Sequence, residues 1–201
     1  MKTFRLADIP AALQWRHEPA EWSCSGEAVL SIVAPGMTDL FTDPGTGART
    51  DCAPAALFEP PDGEFLLSAR VEVAFGSTYD AGVLHVWRDE EQWAKLCFER
   101  SPQGQPMIVS VVTHGVSDDA NSVPIEGGIV HLRVTQLARA SAFHWSSDGV
   151  RWQFVRYFSL GAAAGLRVGF SSQSPTGPGC RSTFSQIRYR PGTLRDLRNG
   201  D

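Results

Sequence analysis

Across residues 64–75, Phe65, Leu67, Ala69, Val71, Val73 and Phe75 fall on one side of the chain and Ser68, Arg70 and Glu72 on the other. Successive side chains of a strand point to opposite faces, so this segment is predicted to be a strand with one face in a core. The pattern continues as a meander over residues 82–88, 92–100 and 107–113, with turns at 88–91 (RDEE) and 101–106 (SPQGQP). Gly and Pro in such turns supply the backbone angles and missing donors that end a ladder. Further strands are predicted at 129–137, 141–147, 150–159, 166–174 and 181–189, with Asp148-Gly149 closing a tight hairpin. Helical periodicity is nearly absent, with at most one short turn around residues 10–13. Roughly a dozen short strands between turn signals predict an all-β, two-sheet antiparallel β-sandwich of the jelly-roll type. Its interior is predicted to hold Phe65, Val71, Val73, Leu96, Phe98, Leu132 and Val134. Residues 35–61, rich in Pro, Gly, Thr and Asp, read as a long irregular excursion, and such segments carry function more often than the scaffold does.

Composition narrows this only a little. At 201 residues, 42% hydrophobic and 20% charged, the chain suits one domain with a core of ordinary size. Its net charge of −4, with both signs interspersed, argues against nucleic acid as a partner. No apolar run is long enough for a membrane helix, and Arg5, Asp8 and Pro10 interrupt any leader-like segment, so a cytoplasmic protein with reduced thiols is expected. Cys24, Cys52, Cys97 and Cys180 form no CxxC pair, and the five histidines show no ligand spacing. No cofactor is expected.

On the 92–100 strand, Trp93, Lys95, Cys97 and Glu99 alternate with Ala94, Leu96 and Phe98. A ring, an amine and a carboxylate in a row can stack on a sugar and hydrogen-bond its hydroxyls. The competing reading is a solvent-facing sheet in which Lys95 pairs with an acid on a neighbouring strand. His85 and Trp87 before it, and Ser110, Val112 and His114 after it, would enlarge the patch, depending on register. Glycoside hydrolysis needs a second carboxylate; none alternates with Glu99, which leaves Asp80 or Asp118 as loop-borne donors. Asp118, Asp119 and Asn121 place three oxygen-bearing side chains in four residues, weak candidates for a Ca²⁺ site or, alternatively, for capping a turn. Asp39 and Asp43 invite the same two readings.

Seven elements in order carry a resemblance. They are Thr38-Asp39-Leu40-Phe41, Tyr79-Asp80-Ala81-Gly82, Trp93-Ala94-Lys95 running to Glu99, Ser110-Val111-Val112-Thr113, Ser117-Asp118-Asp119, Ser147-Asp148-Gly149 with Trp152, and Gln173-Ser174-Pro175. From about Glu27 to Tyr189 the chain resembles the concanavalin-A-like domain-of-unknown-function family that includes the "regulation of enolase" proteins. The resemblance implies a two-sheet jelly roll of the kind found in legume lectins and in polysaccharide-cleaving enzymes, with no assigned activity. The chain departs from the family pattern at Thr42-Asp43-Pro44, where a Trp often follows, and in lacking a Gln between Asp80 and Ala81. Taken together, the ligand-binding candidates are Trp93, Lys95, Glu99, Asp80, His85, Asp118 and Gln173, with no catalytic residue assigned. The leading expectation is a module that binds a carbohydrate or small polar ligand. A regulatory protein of carbohydrate metabolism with a protein partner, and a weak glycoside-active enzyme, are the alternatives.

Overall fold

A computed structural model describes residues 2–26 and 28–201; Glu27, where the family-like core is expected to begin, lies outside the described residues. The described chain is all β. In order, the strands are β1 (Thr3–Phe4), β2 (Leu13–Arg16), β3 (Glu21–Ser25), β4 (Val29–Pro35), β5 (Leu40–Thr42), β6 (Arg49–Asp51), β7 (Ala55–Phe58), β8 (Phe65–Val73) and β9 (Ala81–Trp87). They continue with β10 (Gln92–Arg100), β11 (Pro106–His114), β12 (Val116–Pro124), β13 (Ile129–Gln136), β14 (Ser141–Ser146), β15 (Gln153–Phe158), β16 (Arg167–Gln173) and β17 (Gly179–Pro191). An 8-stranded sheet runs β1-β2-β7-β16-β9-β10-β11-β12, and a 7-stranded sheet runs β15-β14-β13-β8-β17-β4-β3. All pairings are antiparallel. No helix of the described residues is long and apolar enough to cross a membrane.

The two sheets pack face to face over one apolar cluster. Leu67, Val71, Leu132, Val134 and Phe184 from one sheet meet Leu84, Leu96, Phe98 and Phe170 from the other. All seven residues expected inside are there. Burying each large apolar side chain contributes roughly 1.5–3 kcal/mol. At Gly82 the facing sheets pack tightly: an added Cβ would lie 2.7 Å from Val71 Cγ1, so a larger residue would force its neighbours to shift.

The fold differs from the sequence reading in three places. Residues 10–13 form no helix, and β2 begins at Leu13. The acidic segment around Asp118 is not a loop but the edge strand β12, paired with β11 over most of its length. Most consequential, the second face of β10 is not open to solvent: Trp93 is 0%, Lys95 3% and Glu99 9% exposed. The reason is the excursion after β4. It folds back as a two-stranded hairpin of β5 and β6, and Leu40, Phe41 and Ala53 pack on Trp87, Trp93, Val111 and Leu57.

Candidate functional site

The outer face of the 8-stranded sheet is organised around β10. Register places Lys95 between His85 of β9 and Val111 of β11, and Glu99 between Ala81 and Met107. The row of Ser110, Val112 and His114 is paired with Leu96, Ala94 and Gln92 and so belongs to the opposite face. The neighbours of Lys95 are Val109, Val111 and Thr113 instead.

Lys95 Nζ donates to Asp39 Oδ1 at 3.0 Å and to Gln173 Oε1 at 2.9 Å. Burial is the largest single influence and opposes its charge, but Asp39, Cys97 and Glu99 together outweigh it and hold the ammonium above the usual lysine range. Asp39 sits at the root of the covering arm, where its backbone carbonyl accepts from Cys52 N and Ala53 N. This ion pair ties the arm to the sheet, together with those of Asp51 with Arg16 and Arg49 with Glu91. Gln173, on β16, is fixed in turn by donating its amide to Tyr79 O at 3.4 Å.

Beside this cluster is a cavity of about 290 Å³. Phe41, Val109 and Val111 give it apolar walls; Asp39, Lys95, Glu99, Asp119, Gln173 and Tyr79 give it polar ones. Glu99 is the exceptional member. Burial pushes its carboxyl up to about 8, and Asp39 and Asp119 add to the effect against the attraction of Lys95. At neutral pH it is a protonated acid, able both to donate and to accept a hydrogen bond. No protein hydrogen bond or ion pair to its side chain exists among the described residues. An unpartnered, shifted acid in a cleft is the physical signature of a functional group.

Tyr79 stands at the rim, 40% exposed, with φ of 68°. A non-glycine residue in the left-handed region is strained and persists only when its surroundings impose it. Asp80 does the imposing. Its Oδ2 accepts from Gly76 N (2.9 Å) and Ser77 N (2.7 Å), and its Oδ1 from Ser174 Oγ (2.7 Å). Asp80 is fully buried, clamps the turn and does not line this cavity.

Of the residues singled out from sequence, Lys95, Glu99 and Gln173 converge on the cavity. Trp93 lies under the arm, edge-on to His85 at 6.2 Å between centroids, and offers no stacking face to solvent. His85 is buried with both ring nitrogens unpartnered. Burial and then the Lys95 charge lower its pKa to about 3, so it is neutral. Asp118 projects from the other face of β12 and pairs with Arg156 at 3.0 Å. Alternation thus separates Asp118 from Asp119 and Asn121, which dissolves the three-oxygen grouping read as a Ca²⁺ candidate. Asp43 caps its own turn, accepting from Gly45 N and Thr46 N. No group of three or more metal-ligating side chains occurs among the described residues. Cys97 is buried, and burial pushes its thiol well above the ordinary range.

Phe41, Tyr79 and Asp119 are wall residues that the strand pattern did not mark as ligand contacts. A usable signal was present: β9 reads AGVLHVW, apolar on both faces, which is the mark of a strand covered on both sides.

The fold is shared widely. A functionally unknown protein from Saccharomyces cerevisiae superposes with a TM-score of 0.81 at 23% identity, covering 95% of this chain and 100% of that one. Xylan β-1,4-xylosidase from Bacillus halodurans C-125 gives 0.66 at 18%, covering 94% of this chain but 40% of the enzyme. The alginate lyase from Klebsiella pneumoniae gives 0.52 at 12%, covering 94% and 86%. At these identities the likeness is one of fold. No curated protein matches the chain significantly. The family profile described as protein of unknown function (DUF1349) matches residues 15–192, and the chain belongs to that family.

Proposed function

We propose that the protein binds a carbohydrate or another small polar ligand in the cavity between β10, β11 and the arm. The observation that carries this reading is Glu99, a buried neutral acid without a protein partner that lines a 290 Å³ cavity. Glu99 exchanges hydrogen bonds with ligand hydroxyls. Lys95, with two of its three donors spent on Asp39 and Gln173, gives the third to a ligand oxygen. Tyr79 supplies the stacking surface first sought at Trp93, and Phe41 closes the apolar side. Neighbours whose names carry xylan and alginate fit a carbohydrate ligand. A glycan array tests it, with isothermal titration of any hit against wild type and Glu99→Leu, which removes both the donor and the acceptor.

A second reading has one observation in its favour. Glu99, with its raised pKa, has the form of a general acid, and Asp119 lines the same cavity as a further carboxyl group. Turnover of any glycan that binds would establish glycoside activity; binding without turnover returns the protein to the first reading. The resemblance to "regulation of enolase" proteins supports a third, a cytoplasmic regulatory partner, which a pull-down on carbohydrate-metabolic enzymes addresses.

A further inference from the structure

The outer face of the other sheet carries a cavity of about 420 Å³ that the reading above leaves unused. Its floor is set by register. Ser68 of β8 lies between Arg133 of β13 and Arg188 of β17, and Leu66 pairs with Arg190. Adjacent strands lie about 4.8 Å apart, so Arg133 and Arg188 flank Ser68 with roughly 10 Å between their backbones. His131 and Trp152 complete the walls.

A bulge in β17 produces this arrangement. Ser185 pairs with Arg70 and Arg188 with Ser68, so three steps on β17 match two on β8. The extra residue is accommodated at Gln186, whose φ is 48°. Without it, Arg188 would point into the core; with it, Ile187 packs inward and Arg188 and Arg190 face the cavity. Bulges re-aim side chains in this way at functional places.

Arg133, Arg188 and Arg190 bring more positive charge to this cavity than Asp148 and Asp201 offset. Among the described residues, none of Arg133, Arg188, Arg190 and His131 forms an ion pair. The acid on the rim, Asp148, uses Oδ1 on Ser146 Oγ and on the backbone N–H groups of Val150 and Arg151. Asp201, on the C-terminal tail, accepts instead from Asn199. Arg133 is 5% exposed, with its guanidinium over the Trp152 ring at 4.2 Å and one nitrogen donating to Gly200 O. Its Nε is buried with no acceptor. A buried cation normally has a counter-charge, because desolvating it alone is costly. Here the missing anion has a cavity of small-molecule size beside it.

We infer that this cavity is a second binding site, selective for a small molecule bearing a phosphate group. Arg188 and Arg190 present forked donors to the phosphate oxygens, the geometry in which guanidinium surpasses ammonium. Arg133 supplies fixed positive charge from the floor, and Ser68 adds a hydroxyl between the two arginines. The net charge of −4 disfavours a nucleic-acid backbone.

The test is isothermal titration of the full chain with inorganic phosphate, with glucose 6-phosphate and with chloride at matched ionic strength. Saturable binding of inorganic phosphate would identify the free ion as sufficient; binding of the ester alone would identify an organic phosphate, and either supports the site. Arg188→Ala and Arg190→Ala, both at exposed positions, should each weaken binding about tenfold or more with melting unchanged. Glu99→Gln, on the opposite sheet, should leave phosphate binding unaltered, so this site can fail or succeed independently of the first. Absence of saturable phosphate binding, or equal binding by the Arg188→Ala/Arg190→Ala double variant, would overturn the inference.

Discussion

Lys95 and Asp39, 56 residues apart in sequence, meet at 3.0 Å and fasten the excursion between β4 and β7 onto the sheet it covers. The pair does two things at once: it neutralises a buried ammonium and it fixes one wall of the cavity. Removing one partner leaves the other charge stranded. Asp39→Asn should therefore cost about 3 kcal/mol of stability in urea unfolding. Asp39→Asn combined with Lys95→Met should recover most of that loss, because no buried charge is then left unpaired. Simple additivity of the two changes would show that they do not act as a pair.

Glu99 makes stability depend on pH. Its carboxyl is raised from 4.5 to about 8 in the folded protein. Between those values the unfolded chain has released a proton that the native state keeps, so stability falls as pH rises through the window. Below it both states are protonated, and above it both are ionised. Glu99→Gln should abolish this dependence and be more stable than wild type at pH 8, by about 4 kcal/mol, with no difference near pH 4. Melting curves across that range measure it directly. A wild type and variant that run parallel throughout would mean Glu99 is ionised in the fold.

Tyr79 trades stability for a position at the rim. Its left-handed backbone suits glycine, so Tyr79→Gly should keep or raise stability, by about 0.5–1 kcal/mol, while ligand affinity falls. A loss of stability with affinity retained would assign the ring to packing.

Asp80 holds the turn behind Tyr79. Asp80→Ala removes the acceptors for Gly76 N, Ser77 N and Ser174 Oγ and should destabilise the protein by about 3 kcal/mol. Unchanged melting would show that water replaces the carboxylate at no cost.

Much of the scaffold was legible because it rests on local alternation. Phe65 to Val73 and Ala94 to Phe98 face the core as their period of two requires. What alternation cannot encode is cover from afar. Nothing near Trp93 announces that Leu40 and Phe41 will lie on it, so an aromatic on a mixed strand face read as a stacking surface. Asp118 and Asp119 show the opposite failure. Adjacent in sequence, they look like one acidic cluster, yet strand geometry sends one to Arg156 and the other to the cavity. The left-handed turn at Tyr79 depends on contacts with Ser174, 94 residues beyond Asp80, and leaves no local trace.

The most direct test of the central claim is titration of a glycan-array hit into wild type and Glu99→Leu at pH 7. The account predicts saturable binding by wild type and affinity reduced about tenfold or more in the variant, which keeps the side chain's bulk but loses both the donor and the acceptor that the neutral acid offers the ligand. Equal affinity in both proteins would contradict it, and so would a wild type that binds no glycan or other small polar ligand.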